Sequence, residues 1–172
     1  FDQIESPSSI GEGSIQGLAL DWRRFTSHQI TDFCRAEIQA LRDAGAKKPA
    51  TTNFMYNYPL INYHEMARVL DVVSWDNYPQ WHHQKEPVTA MKSAMQHDIM
   101  RTLKKEPFLL MESSPSSVNW VPVSRLRKPG IIENASLQAI AHGSESVLYF
   151  QIRKNRGGFE KFHGAVIDHY GK

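Results

Sequence analysis

The stretch FLLMESSPSSVNW, Phe108 to Trp120, drives four apolar residues straight into Glu112 and then crosses a Ser/Pro-rich loop to Trp120. An unpaired carboxylate buried at a strand tip costs several kcal/mol or takes up a proton, so such a glutamate either reaches solvent or does chemistry. A glutamate in that place can attack an electrophilic carbon or exchange a proton with a substrate. Similar candidates end the other predicted strands: Asn53, then Trp75, Asp76 and Tyr78, then Phe150. Trp120, Glu160 and His163 lie in the loops just beyond. Polar groups set among flat rings suit a sugar, whose C–H faces pack on aromatics while its hydroxyls require fixed donors and acceptors. Plainer readings stand beside these. Glu112 can mark the point where a strand meets water, Trp75 can pack inside, Asp76 can cap a turn, and Asn53 can sit at a rim.

Other chemistries find less support. Glu160 and His163 have the spacing of one half of a helical di-metal motif, but a second such pair is missing. His82-His83 followed by Glu86 reads as a solvated loop, so neither a metal nor another cofactor is expected. Cys34 falls on an apolar helix position and reads as a small core residue. The nucleophile elbow G-x-S-x-G does not occur. Gly11, Gly13 and Gly17 are wrongly spaced for a dinucleotide fingerprint and follow no strand.

The elements that must position these residues alternate. Residues 1–17, rich in Ser, Gly and Pro, read as a loop, one that opens as if inside a longer chain. Thr26 and Gln29 suggest a capping box for a helix whose apolar face is Ile30, Phe33, Cys34, Ile38 and Leu41, with Gly45 ending it. Strands are predicted over 50–54, 72–76, 108–111 and 146–151. Helices are predicted over 63–70, from about 87 to 103, over 132–142, and after Phe159. In the second of these helices, Val88, Met91, Met95, Ile99 and Leu103 form a stripe expected to face the core. Four apolar strands separated by helices imply an α/β fold with a parallel sheet, either doubly wound or part of a (β/α)8 barrel. Both architectures gather ligands at the carboxyl ends of their strands.

Composition narrows the partners. The 172 residues suit one domain, and 41% hydrophobic with 22% charged residues is ordinary for a globular chain. Twenty basic residues against eighteen acidic ones leave a formal charge of +2, with no basic run to ask for nucleic acid or an anionic membrane. One cysteine excludes an internal disulfide. No signal peptide is visible, no apolar run approaches the roughly 18 residues of a spanning helix, and a cytoplasmic location is expected.

Four segments, TTNFMYNYP, LDVVSWDNYPQWH, FLLMESSPSSVNW and SLQAIAHGSESVLYFQIRKNRGGFEKFHGAVIDH, closely resemble the β-galactosidases of glycoside hydrolase family 42, in order, from about Gly17 onward. The resemblance implies a (β/α)8 barrel of the TIM type in which residues 18–172 supply strands five to eight. It implies retaining hydrolysis of terminal β-D-galactosyl residues, with Glu112 as nucleophile. Trp120, Glu160, His163 and Phe150 resemble the family's galactose contacts, while Asn53, Trp75 and Asp76 are pocket candidates by position. The family's acid/base is a Glu following Asn, and this chain lacks that pair; Glu133 precedes Asn134 instead. The N-terminal half of the barrel, or a second copy of the chain, is therefore the expected partner, and a homotrimeric parent is one assembly consistent with the resemblance. Two readings from other classes stay open: a non-catalytic half-barrel used for carbohydrate binding or assembly, and a complete small α/β domain.

Overall fold

The computed structural model describes residue 7, residues 16–81 and residues 85–171. Most of the expected N-terminal loop, and His82 with His83, lie outside the described residues. Helices and strands alternate in the order α1 (Gln16–Asp43), β1 (Asn53–Met55), α2 (Tyr63–Val69), β2 (Ser74–Asn77), α3 (Glu86–Lys104), β3 (Phe108–Ser113), α4 (Ile131–Ala141) and β4 (Ser144–Tyr149). The four strands form one parallel sheet in the order β1-β2-β3-β4. The α/β class and the parallel pairing therefore match the alternation in the sequence. No described helix is long and apolar enough to cross a membrane.

The chain divides into two compact units, one reaching to Ala50 and including Asn57–Asp71, the other Thr51–Tyr56 and everything from Val72 on. In the first unit, α1 begins well upstream of Thr26, so the expected capping box lies inside the helix and the boundary at residue 17 falls within it. Its buried face is Ser27, Thr31 and Cys34, while Phe33 and Leu41 are exposed. Gly45 does end this helix. At φ +87° it lets its own N–H donate to the Arg42 carbonyl and the Ala46 N–H to the Leu41 carbonyl, each at 2.9 Å. Arg42 then donates to the Ala46 and Lys48 carbonyls and to Asp71, whose carboxylate also accepts from the Ala50 N–H at 2.6 Å.

The second unit contains the sheet. Phe54, Trp75 and Leu110 are register partners across β1, β2 and β3, and all three are buried. Helix α3 covers part of this core with Thr89, Ser93, His97 and Met100. The Val88, Met91 and Met95 stripe expected to face the core is exposed instead. Volume explains the reversal. The sheet already supplies the Trp75 and Phe108 rings, so small side chains on the helix let it approach closely. Outer strands β1 and β4 have no further strand partner among the described residues. The helix expected after Phe159 is replaced by turns, in which Lys161 N–H donates to the Gly158 carbonyl and His163 N–H to the Glu160 carbonyl. Gly157 and Gly158, at its start, disfavour a helix.

His97 carries a measurable consequence. Its ring stacks on Phe108 at 5.6 Å and meets the Trp75 ring edge-on at 5.0 Å. Burial lowers its pKa from 6.5 to about 4, with His142 adding to the effect. The folded state thus binds fewer protons than the unfolded state between those values, so stability is full above pH 6.5 and falls toward pH 4. We expect His97→Phe to remove this acid-side loss, roughly 2–3 kcal/mol. Denaturant melts across that pH window would check it, and an unchanged slope would refute it.

Candidate active site

The pleat decides which strand-end residues meet. Met55, Asp76 and Glu112 are register partners across β1, β2 and β3, so their side chains share one face at the carboxyl end of the sheet. Trp75 is adjacent to Asp76 in sequence and must point the other way. It is fully buried, edge-on to Tyr56 at 5.9 Å, and does not line the cleft. The expectation that Trp75 contacts substrate is thereby corrected: alternation on one strand cannot place both Trp75 and Asp76 on the same face.

An open cleft lies above Glu112. Its walls are Met55, Tyr56, Asp76, Tyr78, Trp120, Phe150, Glu160 and His163, and its volume of about 380 Å³ falls in the range of small-molecule sites. Six of the expected residues, Glu112, Trp120, Glu160, His163, Phe150 and Asp76, therefore converge from positions far apart in sequence. Asn53 is not on the wall but lies between the two carboxylates, donating from Nδ2 to Asp76 Oδ1 at 2.9 Å and to Glu112 Oε1 at 3.1 Å. The other Glu112 oxygen, Oε2, accepts from the Tyr78 hydroxyl at 2.7 Å. Both carboxylate oxygens are thus held by donors, and the side chain is fixed in orientation.

Electrostatics separates the groups. Burial raises the Asp76 carboxyl to about 6, Glu112 beside it adds to the rise, and only the Asn53 bond opposes them. Burial, and then its bond to Glu112, pushes the Tyr78 phenol far up, so Tyr78 stays a hydrogen-bond donor. His163 is buried, and its Nδ1 lies 3.0 Å from the Gly164 carbonyl, which can only accept. That contact places a ring proton on Nδ1. Tyr78 meets Trp120 and His163 edge-on at 5.7 and 5.9 Å, and Phe150 meets His163 at 5.1 Å. The result is a cleft with an aromatic lining and polar groups at fixed points. Among the described residues no group of three His, Cys, Asp or Glu side chains could hold a metal ion.

Two loops form the far wall, and they are joined. Gly164 N–H donates to the Ser117 carbonyl at 2.7 Å, and Asn119 Nδ2 donates to the Phe159 carbonyl at 2.6 Å. A Cβ on Gly164 would stand 2.5 Å from the Ser117 carbonyl oxygen, a distance no side chain tolerates.

Met55 and Tyr56 escape the sequence reading, in which Tyr78 stands only as a strand-end candidate. Period-2 alternation from Asn53 places Met55 on the same face, which is a usable signal. Nothing local marks Tyr56, whose φ of 41° takes it out of the strand.

Comparison with known proteins converges on one family. The model for glycoside hydrolase family 42, described as beta-galactosidase, matches residues 1–172. The beta-galactosidase BglY of Alicyclobacillus acidocaldarius is 55% identical over 172 residues, covering 99% of this chain and 25% of that protein. GalA of Bacillus licheniformis, also a beta-galactosidase, is 49% identical over 177 residues, covering 98% and 26%. Among solved structures, a beta-galactosidase from Rahnella sp. R3 superposes with a TM-score of 0.93 at 54% identity, covering 99% of this chain and 25% of its own. A catalytic glutamate-to-alanine mutant of a GH42 beta-galactosidase from G. stearothermophilus superposes with a TM-score of 0.91 at 50% identity, covering 99% and 26%. The chain thus spans about a quarter of the length of these relatives.

Proposed function

Because the chain belongs to the glycoside hydrolase family 42 β-galactosidases, we propose that it forms the nucleophile-bearing half of a retaining β-galactosidase's (β/α)8 barrel, strands five to eight. The observation that carries this is the fixed carboxylate of Glu112, held at both oxygens and facing a cleft lined by aromatic rings. Four consecutive parallel strands, with no further strand beside either outer one among the described residues, are compatible with half of a closed barrel.

On this reading, one Glu112 oxygen attacks the anomeric carbon of a terminal β-D-galactosyl residue. The bond to the leaving-group oxygen breaks, and that oxygen takes a proton from a general acid supplied outside this chain. Water then attacks the glycosyl-enzyme ester, gives its proton to the same group, and releases galactose with its configuration retained. Charge on Glu112 is lost as the ester forms, so the donors Tyr78 and Asn53 act mainly by aiming it. Trp120 offers a face for the sugar's C–H surface, Phe150 bounds it, and Glu160 accepts from its hydroxyls with His163 as a further hydrogen-bonding group.

The test is chemical trapping. In the full-length protein that carries this segment, a fluorinated galactosyl fluoride that forms the ester but hydrolyses slowly should label the Phe108–Ser113 peptide at Glu112. A label on any other residue would reject the assignment.

A further inference from the structure

We infer that Asp76 is a positioning residue for Glu112, acting through the Asn53 carboxamide to hold the nucleophile in its attacking orientation. The inference rests on the nucleophile assignment above and extends it to a residue that does not itself react. One planar NH2 group connects the two carboxylates: Asn53 Nδ2 gives one N–H to Asp76 Oδ1 at 2.9 Å and the other to Glu112 Oε1 at 3.1 Å. Rotation of that amide to abandon one acceptor also misaligns the other, so Asp76 fixes the plane in which Glu112 is held. The three residues come from adjacent strands, β1, β2 and β3, and Asp76 faces Glu112 in register. A register irregularity at Trp75/Asp76 sits at this point, the kind of bulge that re-aims a side chain beside a site.

Among the described residues no cationic side chain shifts the Asp76 ionisation. The influences on its ionisation are burial, Glu112 and Asn53, and of these only the Asn53 bond favours the carboxylate. The titratable groups around it are Glu112 on β3, Tyr78 just beyond β2, and Tyr56, Glu160 and His163 along the cleft. When Glu112 becomes an ester its hold on the Asn53 amide weakens, whereas the Asp76 bond persists. The amide is then already placed to receive the carboxylate when hydrolysis frees it.

The experiment uses the full-length protein that carries this segment and measures the rate of glycosyl-enzyme formation across pH. Asp76→Ala should lower that rate about 100-fold, the cost of a small misplacement of a reacting group, with substrate affinity changed less than about threefold. Asp76→Asn keeps an acceptor oxygen for Asn53 and should recover most of the loss at pH 7, while an ionisation at about 6 disappears from its profile. Asn53→Ala should resemble Asp76→Ala, and the double variant should fall no further, since the two act as one unit. An Asp76→Ala rate within about threefold of the parent, or additive losses in the double variant, would overturn the inference. Should Asp76→Ala fold poorly, Asp76→Asn decides: a profile that keeps the ionisation also overturns it. If Glu112→Gln proves fully active the nucleophile assignment itself fails. With Glu112→Gln inactive and Asp76→Ala unimpaired, only the positioning role fails.

Discussion

In the full-length protein that carries this segment, Glu112→Gln should lower turnover of an aryl β-galactoside by about three to six orders of magnitude, as removal of a covalent nucleophile does. The substitution keeps shape and loses the attacking charge. A glutamine at this position still offers an oxygen to the Asn53 amide, and the Tyr78 hydroxyl can turn to accept from the new N–H. The fold should therefore survive, with the loss confined to the chemical step and galactose still bound. Thermal melts and a galactose-binding measurement separate these outcomes. Near-parental hydrolysis by a well-folded variant would remove Glu112 from the role assigned to it.

The second large effect concerns the 172-residue chain by itself, which should show no measurable turnover and should not remain a monomer at micromolar concentration. Two causes act together. On the proposed reading, proton transfer to the leaving group needs an acid, and the sequence contains no Asn-Glu pair to supply it. The outer strands also have no further strand partner among the described residues, and Leu148 and Tyr149 are exposed on β4. Such edges recruit another chain. Solution mass and an aryl galactoside assay decide the matter, and adding a complementary half should restore hydrolysis. A stable 19.7 kDa monomer that turns over substrate would show that an acid is present in this chain. Restored folding without hydrolysis would favour a binding or assembly role.

Much of the architecture was legible before any coordinates, because alternating apolar runs and helix stops are local signals. Gly45 ended α1 as its position suggested, and Glu112 stood at the carboxyl end of its strand. Misreadings arose where packing decides. The apolar stripe on α3 is a valid helical period, yet the bulk of the core came from Trp75 and Phe108, so a face of Thr89 and Ser93 turned inward. Trp75 and Asp76 both stand at a strand end in the sequence, although a strand can present only one of two neighbours to a face. Asn53 is the clearest case of information absent from the sequence. Its partner Glu112 lies 59 positions away, and only the register of three strands sets one amide between two carboxylates.

The contact between Gly164 and the Ser117 carbonyl bears on how such a site can be altered. It leaves no room for a methyl group, and the Asn119 bond to Phe159 ties the same two loops a second time. Trp120 rides on one loop and Glu160 with His163 on the other, so neither can be redesigned alone without shifting its neighbour. Loop exchange with a relative, aimed at a different sugar, should therefore transfer 114–120 and 157–164 as a matched pair. Chimaeras carrying only one of the two would inherit a wall that no longer meets.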